Sequence, residues 1–319
     1  VDSHQVEEID DPIAGPGQVV VDIKATGISF PDVLIVQGLY QFKPPFPFSP
    51  GSEISGVVSS VGEGVTMHKE GDRVMGSIGS GGLREKGVYL EQQLMPLPET
   101  MDFDTAAGFP LNYGTTYHAF KQRGELKAGQ SVLVLGAGGG LGITAIHIAK
   151  AMGAKVIAAA SSQEKIDLCK KEGADEGIIY EREMDRDLQK KFSDQIKEVT
   201  GGGVDMIYDL VGGDYAEPAL RAIARHGKYL VIGFTAGIPK MPLNLTLLKE
   251  CQIVGVFWGQ FAGVEYAENQ QNFKELFELH AEGKIKPFVT EAYTLDESAT
   301  AIKTLEDRKV LGKVVVSME

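Results

Sequence analysis

The sequence predicts an α/β protein in which a doubly wound parallel sheet follows a small barrel of short strands. Three observations predict it. Val132-Leu-Val-Leu135 is an apolar run suited to a parallel strand covered on both faces, and the glycine-rich turn Gly136-Ala-Gly-Gly-Gly-Leu-Gly142 follows it directly. Beyond that turn, strand and helix patterns alternate, which is the βαβ rhythm of a doubly wound sheet. Before it, residues 1 to about 110 carry short β signals broken by turn residues, with little helical periodicity.

In the first region Val19 to Ile23 and Ile54 to Val61 read as strands, the latter ending in the turn Gly62-Glu-Gly64. Arg73 to Met75 and Val88 to Leu97 supply two more. Between the first two, Ser29 to Tyr40 forms a helical turn leading into a loop stiffened by Pro44, Pro45, Pro47 and Pro50. A helix through Tyr117, Phe120 and Leu126 then leads into the strand at Val132. After the glycine turn come the strand Lys155 to Ala160, the helix Gln163 to Glu172, the strand Gly177 to Tyr180 and the helix Asp185 to Val199. The strand Val204 to Leu210, the helix Tyr215 to Ala224 and the strand Lys228 to Phe234 continue the pattern. After a helix near Leu243 to Lys249, Gln252 to Trp258 reads as an apolar edge strand, expected to pair with a second subunit in a homodimer. Helices at Glu265 to Glu282 and Glu297 to Leu305 and a strand at Lys313 to Ser317 complete the chain.

Composition bounds the function. The 319 residues, 43% hydrophobic, suffice for two domains with full cores. A net charge of -13 argues against a nucleic acid or an anionic membrane as the main partner. Cys169 and Cys251 are too few for a disulfide framework or a structural zinc site, and their usage fits the reducing cytoplasm. The chain opens on Val1 and polar residues, so no signal peptide is expected, and the missing initiator Met suggests removal of something upstream.

The glycine turn is the candidate pyrophosphate cradle. Ile143, Ile146, His147 and Met152 keep helical spacing, so the unpaired N–H groups of the helix's first turn point back at the glycines. In the best register Ala137, Gly139 and Gly142 take the three fingerprint places, Gly139 for close approach to phosphate and Gly142 for close helix packing. Two other readings exist, a ligand-free βα turn and a small-residue membrane helix. The latter falls short of the roughly 20 apolar residues that a span needs. At the end of the second strand an NAD-type site places an acid for the ribose, whereas here Ser161 and Ser162 stand with Lys165 close behind. Hydroxyls and a cation suit a 2′-phosphate, so NADPH is the expected cofactor.

The motifs Gly17-Gln-Val-Val-Val-Asp-Ile-Lys24, Pro50-Gly-Ser-Glu53, Gly71-Asp-Arg-Val74, Tyr113-Gly-Thr-Thr-Tyr117, Gly136 to Gly142 and Leu311-Gly-Lys-Val-Val315 span nearly the whole chain. In order and spacing the sequence resembles the medium-chain dehydrogenase/reductase superfamily, and within it the zinc-free NADPH:quinone oxidoreductases related to zeta-crystallin. The resemblance implies a GroES-like catalytic domain over residues 1–110, completed by 263–319, and a Rossmann NADP-binding domain over 111–262. It further implies a homodimer.

Zinc members of that superfamily place a Cys near Ser29 and a His at Ser52, so the resemblance implies that no metal is bound. It places Thr115 near the nicotinamide ribose, Gly136 and Gly139, Gly140, Leu141 and Gly142 on the pyrophosphate, and Ser161, Ser162, Lys165, Tyr180 and Arg308 around the 2′-phosphate and adenine. Gly233, Phe234, Trp258 and Gly259 would hold the nicotinamide by backbone and ring contacts. Ser29 joins the cofactor set, although related reductases have Asn there, and Leu34 stands in place of a Tyr. The chemistry implied is hydride transfer to an electron-poor acceptor, a quinone or an α,β-unsaturated carbonyl. Tyr40 is the candidate proton donor, because related enoyl-thioester reductases have a Tyr at the matching place. Packing beside Phe42 and Phe46 is its structural alternative. An enoyl-thioester reductase and a non-catalytic, crystallin-like NADPH-binding protein stay open as other functions.

Overall fold

The computed structural model describes residues 4–287, 289–307 and 310–318. The chain divides into two compact units, Val1–Leu111 with Pro287–Glu319, and Asn112–Lys286.

The first unit begins with β1 (Gln18–Ile28), whose residues Val19, Val21 and Ile23 share one face and enter the core there. The helix α1 (Phe30–Val36) follows, with Pro31 in its first turn, where a missing N–H removes no helical bond. Strands β2 (Glu53–Val61), β3 (Arg73–Ser77), β4 (Lys86–Leu90) and β5 (Leu94–Pro96) come next. The expected strand from Val88 to Leu97 is broken at Glu91–Gln93 by a turn of 3-10 helix. Glu91 there turns its carboxylate inward to accept the N–H groups of Thr66 and Met67 at 2.8 Å each. A short helix α2 (Phe103–Ala107), capped by Asp102, precedes α3 (Pro110–His118), along which the chain enters the second unit.

In the second unit the helix expected to run to Leu126 ends at His118 and continues as a π-helical stretch, Ala119–Gly124. Then β6 (Ser131–Leu135), α4 (Gly140–Ala151), β7 (Lys155–Ala160), α5 (Gln163–Lys171), β8 (Glu176–Ile179) and α6 (Arg186–Thr200) alternate as expected. They are followed by β9 (Val204–Asp209), α7 (Ala216–Arg221), β10 (Ile223–Val231), α8 (Asn244–Lys249) and β11 (Gln252–Gly255). The parallel sheet runs β11-β10-β9-β6-β7-β8. Counted from β6 this is the order 3-2-1-4-5-6, with the topological switch between β6 and β9. Leu133, Leu135, Ile157, Ile207 and Tyr229 form its core.

The edge strand is shorter than the expected 252–258. It stops at Gly255, and Trp258 opens the helix α9 (Trp258–Val264), because its indole turns inward to Asn269. Next comes α10 (Tyr266–Ala281), which stays in the second unit and moves the boundary from the expected 262/263 to 286/287. Trp258 Nε1 donates to Asn269 Oδ1 at 2.9 Å, Tyr117 Oη to Glu275 Oε2 at 2.6 Å and Lys121 Nζ to Asn272 Oδ1 at 3.1 Å. These bonds tie α10 to that unit. The chain returns to the first unit through β12 (Val289–Tyr293), α11 (Ser298–Glu306) and β13 (Lys313–Ser317), completing a seven-stranded sheet in which β13 pairs antiparallel with β1. The unforeseen β12 has only intermediate burial and little alternation to announce it. Among the described residues no helix is long and apolar enough to cross a membrane.

Candidate functional site

At one edge of the parallel sheet four strand ends lie side by side. Leu135 of β6 pairs with Ala159 of β7 and with Asp209 of β9, and Asp209 pairs with Val231 of β10. The segments that leave these strands are the glycine turn, Ser161-Ser162, Val211-Gly212 and Gly233-Phe234. Ligands of open parallel sheets bind at such a carboxyl edge, outside the switch point.

The glycine turn is shaped for an anion. Gly136 lies in the left-handed region, φ 77°, which a side chain would strain. Gly139 is the N-cap of α4, and a Cβ there would meet only open space, the nearest atom being Gly136 O at 3.8 Å. The first bonded N–H of α4 is that of Ile143, to Gly139 O at 2.9 Å. The N–H groups of Gly140, Leu141 and Gly142 therefore have no backbone acceptor among the described residues, and they carry the positive end of a helix of 12 residues. Gly142 has a different task. A Cβ on it would come within 2.4 Å of Ala137 O and 2.5 Å of Gly136 O, so α4 can approach the turn only because the residue is glycine. An adenine dinucleotide's pyrophosphate fits this cradle.

The adenosine side is also assembled. Ser162 caps α5, its Oγ accepting the Lys165 N–H at 3.4 Å. Tyr180 N–H donates to Ala160 O at 3.0 Å, which brings the end of β8 beside Ser161. The Tyr180 ring rests against Tyr215 and Phe192, with centroids 4.7 and 5.9 Å away. Arg308, expected on the same phosphate, lies outside the described residues. The expected nicotinamide contacts divide. Thr115 is half-buried on α3, Gly233 N–H is held by Asp209 O at 3.2 Å, and Phe234 is 43% exposed. The Trp258 ring, expected to touch the nicotinamide, is instead packed in the core. Its N–H bonds Asn269, and a Cβ on Gly114 would lie 2.6 Å from it. Gly259 follows it into α9.

Asp209 carries no functional signal in the sequence. Buried at the end of β9, its Oδ1 accepts the N–H groups of Val211 and Gly212 at 2.8 and 2.9 Å, and its Oδ2 accepts the Tyr229 hydroxyl at 2.6 Å. It thereby fixes the loop beside Gly136, where a Cβ would meet Val211 Cγ2 at 3.0 Å. Burial pushes its carboxyl above the ordinary range. A second unforeseen set is Tyr113, His147 and Glu172. His147 Nδ1 faces the Tyr113 hydroxyl at 3.1 Å and Nε2 faces Glu172 Oε2 at 2.9 Å, so the histidine is a buried link between helices. Burial lowers its pKa despite Glu172.

The first unit holds a buried polar cluster at its own candidate positions. Lys313 Nζ, on β13 and 4% exposed, donates to Glu53 Oε2 at 2.5 Å and to Ser29 Oγ at 2.6 Å. Ser29 Oγ donates in turn to Glu53 Oε2 at 3.2 Å, and Glu53 Oε1 accepts the Leu111 N–H at 2.7 Å. Beside this set, Asp32 Oδ2 accepts the Ser29 N–H at 2.8 Å and the Ser52 hydroxyl at 3.1 Å, while Oδ1 has no partner among the described residues. Burial pushes the Asp32 carboxyl up to about 6, against the pull of the Ser29 N–H and the Lys313 charge. The Tyr40 hydroxyl is raised as well, by burial first and by the Asp32 charge second, so it keeps its proton at neutral pH. Ser29 was expected to touch the cofactor, yet the residue is buried and its hydroxyl is engaged by both Lys313 and Glu53.

This donor set does not fit tetrahedral zinc. A hydroxyl stands at each of the two places where zinc relatives carry Cys and His, and the remaining carboxylate, Glu53, is bound by an ammonium ion. Among the described residues no group of three or more His, Cys, Asp or Glu could hold a metal.

Comparison with known proteins agrees with both halves. Residues 15–99 match the family described as alcohol dehydrogenase GroES-like domain, and residues 140–282 the family described as zinc-binding dehydrogenase. The chain is 38% identical over 308 residues to the quinone oxidoreductase-like protein 2 homolog of Nematostella vectensis, covering 95% of this chain and 82% of that protein. It is 35% identical over 316 residues to the quinone oxidoreductase-like protein 2 of Bos taurus, covering 98% and 89%. Among solved structures, Escherichia coli quinone oxidoreductase complexed with NADPH matches with a TM-score of 0.89 at 30% identity, covering 98% of this chain and 94% of that one.

Proposed function

Since the chain belongs to the quinone oxidoreductases of the medium-chain dehydrogenase/reductase superfamily, we propose that it is an NADPH-dependent reductase of quinones or α,β-unsaturated carbonyls that works without zinc. The observation that carries the coenzyme is the carboxyl edge of the parallel sheet, where the N–H groups of Gly140, Leu141 and Gly142 face an open cradle. Ser161, Ser162 and Lys165 stand there in place of the ribose-binding acid. The NADPH complex of the E. coli relative supports the same coenzyme.

When bound, NADPH supplies the hydride. The chain's own residues do the rest. Backbone N–H groups of the turn hold the pyrophosphate, Gly136 and Gly139 leave it room, and Ser162 and Lys165 hold the 2′-phosphate, with Tyr180 completing that end. Thr115, Gly233, Phe234 and the backbone of Trp258-Gly259 position the nicotinamide. Tyr40, protonated at neutral pH, is the donor to the acceptor's oxygen as negative charge develops there. Independence from zinc is supported by Ser29 and Ser52 at the ligand places and by the ammonium of Lys313 on Glu53.

Tyr40 also favours a second reading, reduction of enoyl thioesters, because those reductases share the tyrosine. A turnover panel of quinones, enones and enoyl thioesters, each with NADPH and with NADH, decides among the acceptors. Turnover of quinones or enones with NADPH is the expected result. Tight NADPH binding with no turnover of any of the three would leave a non-catalytic binding protein.

The assembly we infer is a homodimer through the edge strand β11. Leu243, Leu247, Leu248, Phe257 and Val264, all near it in sequence, are between 60% and 76% exposed. A cytoplasmic location belongs to the same reading, supported by two buried cysteines that form no disulfide.

A further inference from the structure

The absent side chain of Gly138 in the turn is explained by neither backbone nor phosphate. It does not adopt positive φ. A Cβ on it would lie 2.8 Å from Lys165 Cβ and 2.9 Å from its Cγ and Cδ. The stem of Lys165 therefore lies flat on the turn at Gly138, and because Lys165 Cβ is among the contacts, the lysine cannot make room by swinging only its tip. That contact sets where the ammonium stands relative to Ser161 and Ser162.

A second cation is near. The strand pairing that brings Tyr180 beside Ser161 carries Arg182 with it, and the Tyr215 hydroxyl clamps this segment by donating to Glu181 O at 2.9 Å and Arg182 O at 2.8 Å. Neither Lys165 nor Arg182 has an ion-pair partner among the described residues. Two neighbouring cations, neither committed to an ion pair, mark a place for an anion of more than one charge.

Resting on the NADPH reading above, we propose that Gly138, Lys165 and Arg182 act as one unit selecting a nucleotide 2′-phosphate. In it Arg182 is a second phosphate-binding cation, and Gly138 is a positioning residue that seats Lys165. The charge environment agrees. Burial and then the like charge of Arg182 hold the Lys165 ammonium below its ordinary range, and a phosphate dianion would relieve both. An exposed arginine that only meets solvent would leave nucleotide selectivity unchanged when removed, and this separates the two cases.

The test is calorimetric titration of the full chain with adenosine 2′,5′-bisphosphate and with 5′-AMP, which lacks the 2′-phosphate. The expected result is a wild-type preference for the bisphosphate that Arg182→Ala reduces about five- to tenfold with 5′-AMP affinity unchanged, as fits loss of one charge-assisted contact. Arg182→Lys recovers part of it. Gly138→Ala narrows the same ratio by displacing Lys165, whereas a general loosening of the turn would weaken both nucleotides alike. Equal affinities in the wild type would overturn the NADPH reading and this proposal together. A wild-type preference that survives both Arg182→Ala and Gly138→Ala would overturn this proposal alone. The Arg182 variants lie at an exposed position that leaves the fold intact, so they decide the matter even where Gly138→Ala does not fold.

Discussion

The glycine turn of the second unit and the buried cluster of the first are opposite ways to hold charge. The turn offers backbone N–H groups at the start of α4, supplied by neighbours in sequence and accessible because side chains are missing. The cluster holds the Lys313 ammonium and the Glu53 and Asp32 carboxyls away from water. They are brought together from β13, β2 and α1, and the Lys313 to Ser29 bond among them joins residues 284 apart in sequence. The first builds a site with no ionisable group, and the second commits ionisable groups to one another. Damage to the turn should therefore appear mainly in binding, and damage to the cluster mainly in folding.

The largest effect is expected where the cluster is broken on one side. Lys313→Met leaves the Glu53 carboxylate buried without its cation, which should destabilise the protein by about 3–5 kcal/mol. Adding Glu53→Gln should recover much of that loss, because it removes the stranded charge. Urea denaturation of the two variants checks this. Equal instability in both would mean that the pair's charge is not what holds the three segments.

Next comes the pH response of the cluster. Asp32 has a folded pKa raised to about 6, so between the unfolded value and that point the folded protein binds more protons than the unfolded chain. Stability must then fall as pH rises across this window, by on the order of 2–3 kcal/mol from this one group. Asp32→Asn cannot titrate and should lose that part of the slope. Denaturation midpoints of wild type and variant at pH 4 and pH 7 would show their difference change, and a constant difference would sink the assignment.

The contrast also explains what could be read in the sequence. The doubly wound sheet was legible because buried parallel strands such as Val132-Leu-Val-Leu135 and Lys155 to Ala160 are apolar runs closed by turn residues. The cluster was not. Ser29, Ser52 and Glu53 were noticed as places where metal ligands stand in relatives, but nothing local says that Lys313 folds back onto them. Its position in Leu311-Gly-Lys-Val-Val315 was visible, and its partner was not. Asp209 was hidden likewise, since an acid ending a strand reads as a turn residue until its bonds to Val211, Gly212 and Tyr229 are seen. Trp258 was misplaced because an aromatic after an apolar run reads as strand, while its indole N–H finds Asn269 on the next helix.

A smaller effect on stability is expected at the turn itself. Gly142→Ala drives a methyl group into the carbonyl oxygens of Gly136 and Ala137, and α4 must move away at a cost of about 1–3 kcal/mol. The same displacement moves the N–H groups of Gly140 and Leu141 from where a phosphate would meet them, so NADPH and NADH should both bind more weakly and by a similar factor. Calorimetry with the two coenzymes checks it. Unchanged affinities with lowered stability would show that the turn is a packing device and not a cradle.

The smallest change in stability falls on a side chain that belongs to both kinds of charge-holding. Ser162 caps α5 through a long bond, its Oγ 3.4 Å from the Lys165 N–H, and such a contact is weaker than a cap at ideal distance. Ser162→Ala should therefore cost only about 0.5–1 kcal/mol in urea denaturation. Its hydroxyl also stands at the end of β7, where the ribose of a dinucleotide is read, and there it can turn from the helix to a 2′-phosphate. NADPH affinity should then fall in the variant while NADH affinity holds, although the fold is almost unaffected. A loss shared equally by both coenzymes would mean that Ser162 acts through the backbone of α5, as the turn does. A loss confined to NADPH would place it with Lys165 as a position in the second unit where, as in the first, a side chain and not the backbone chooses the charge.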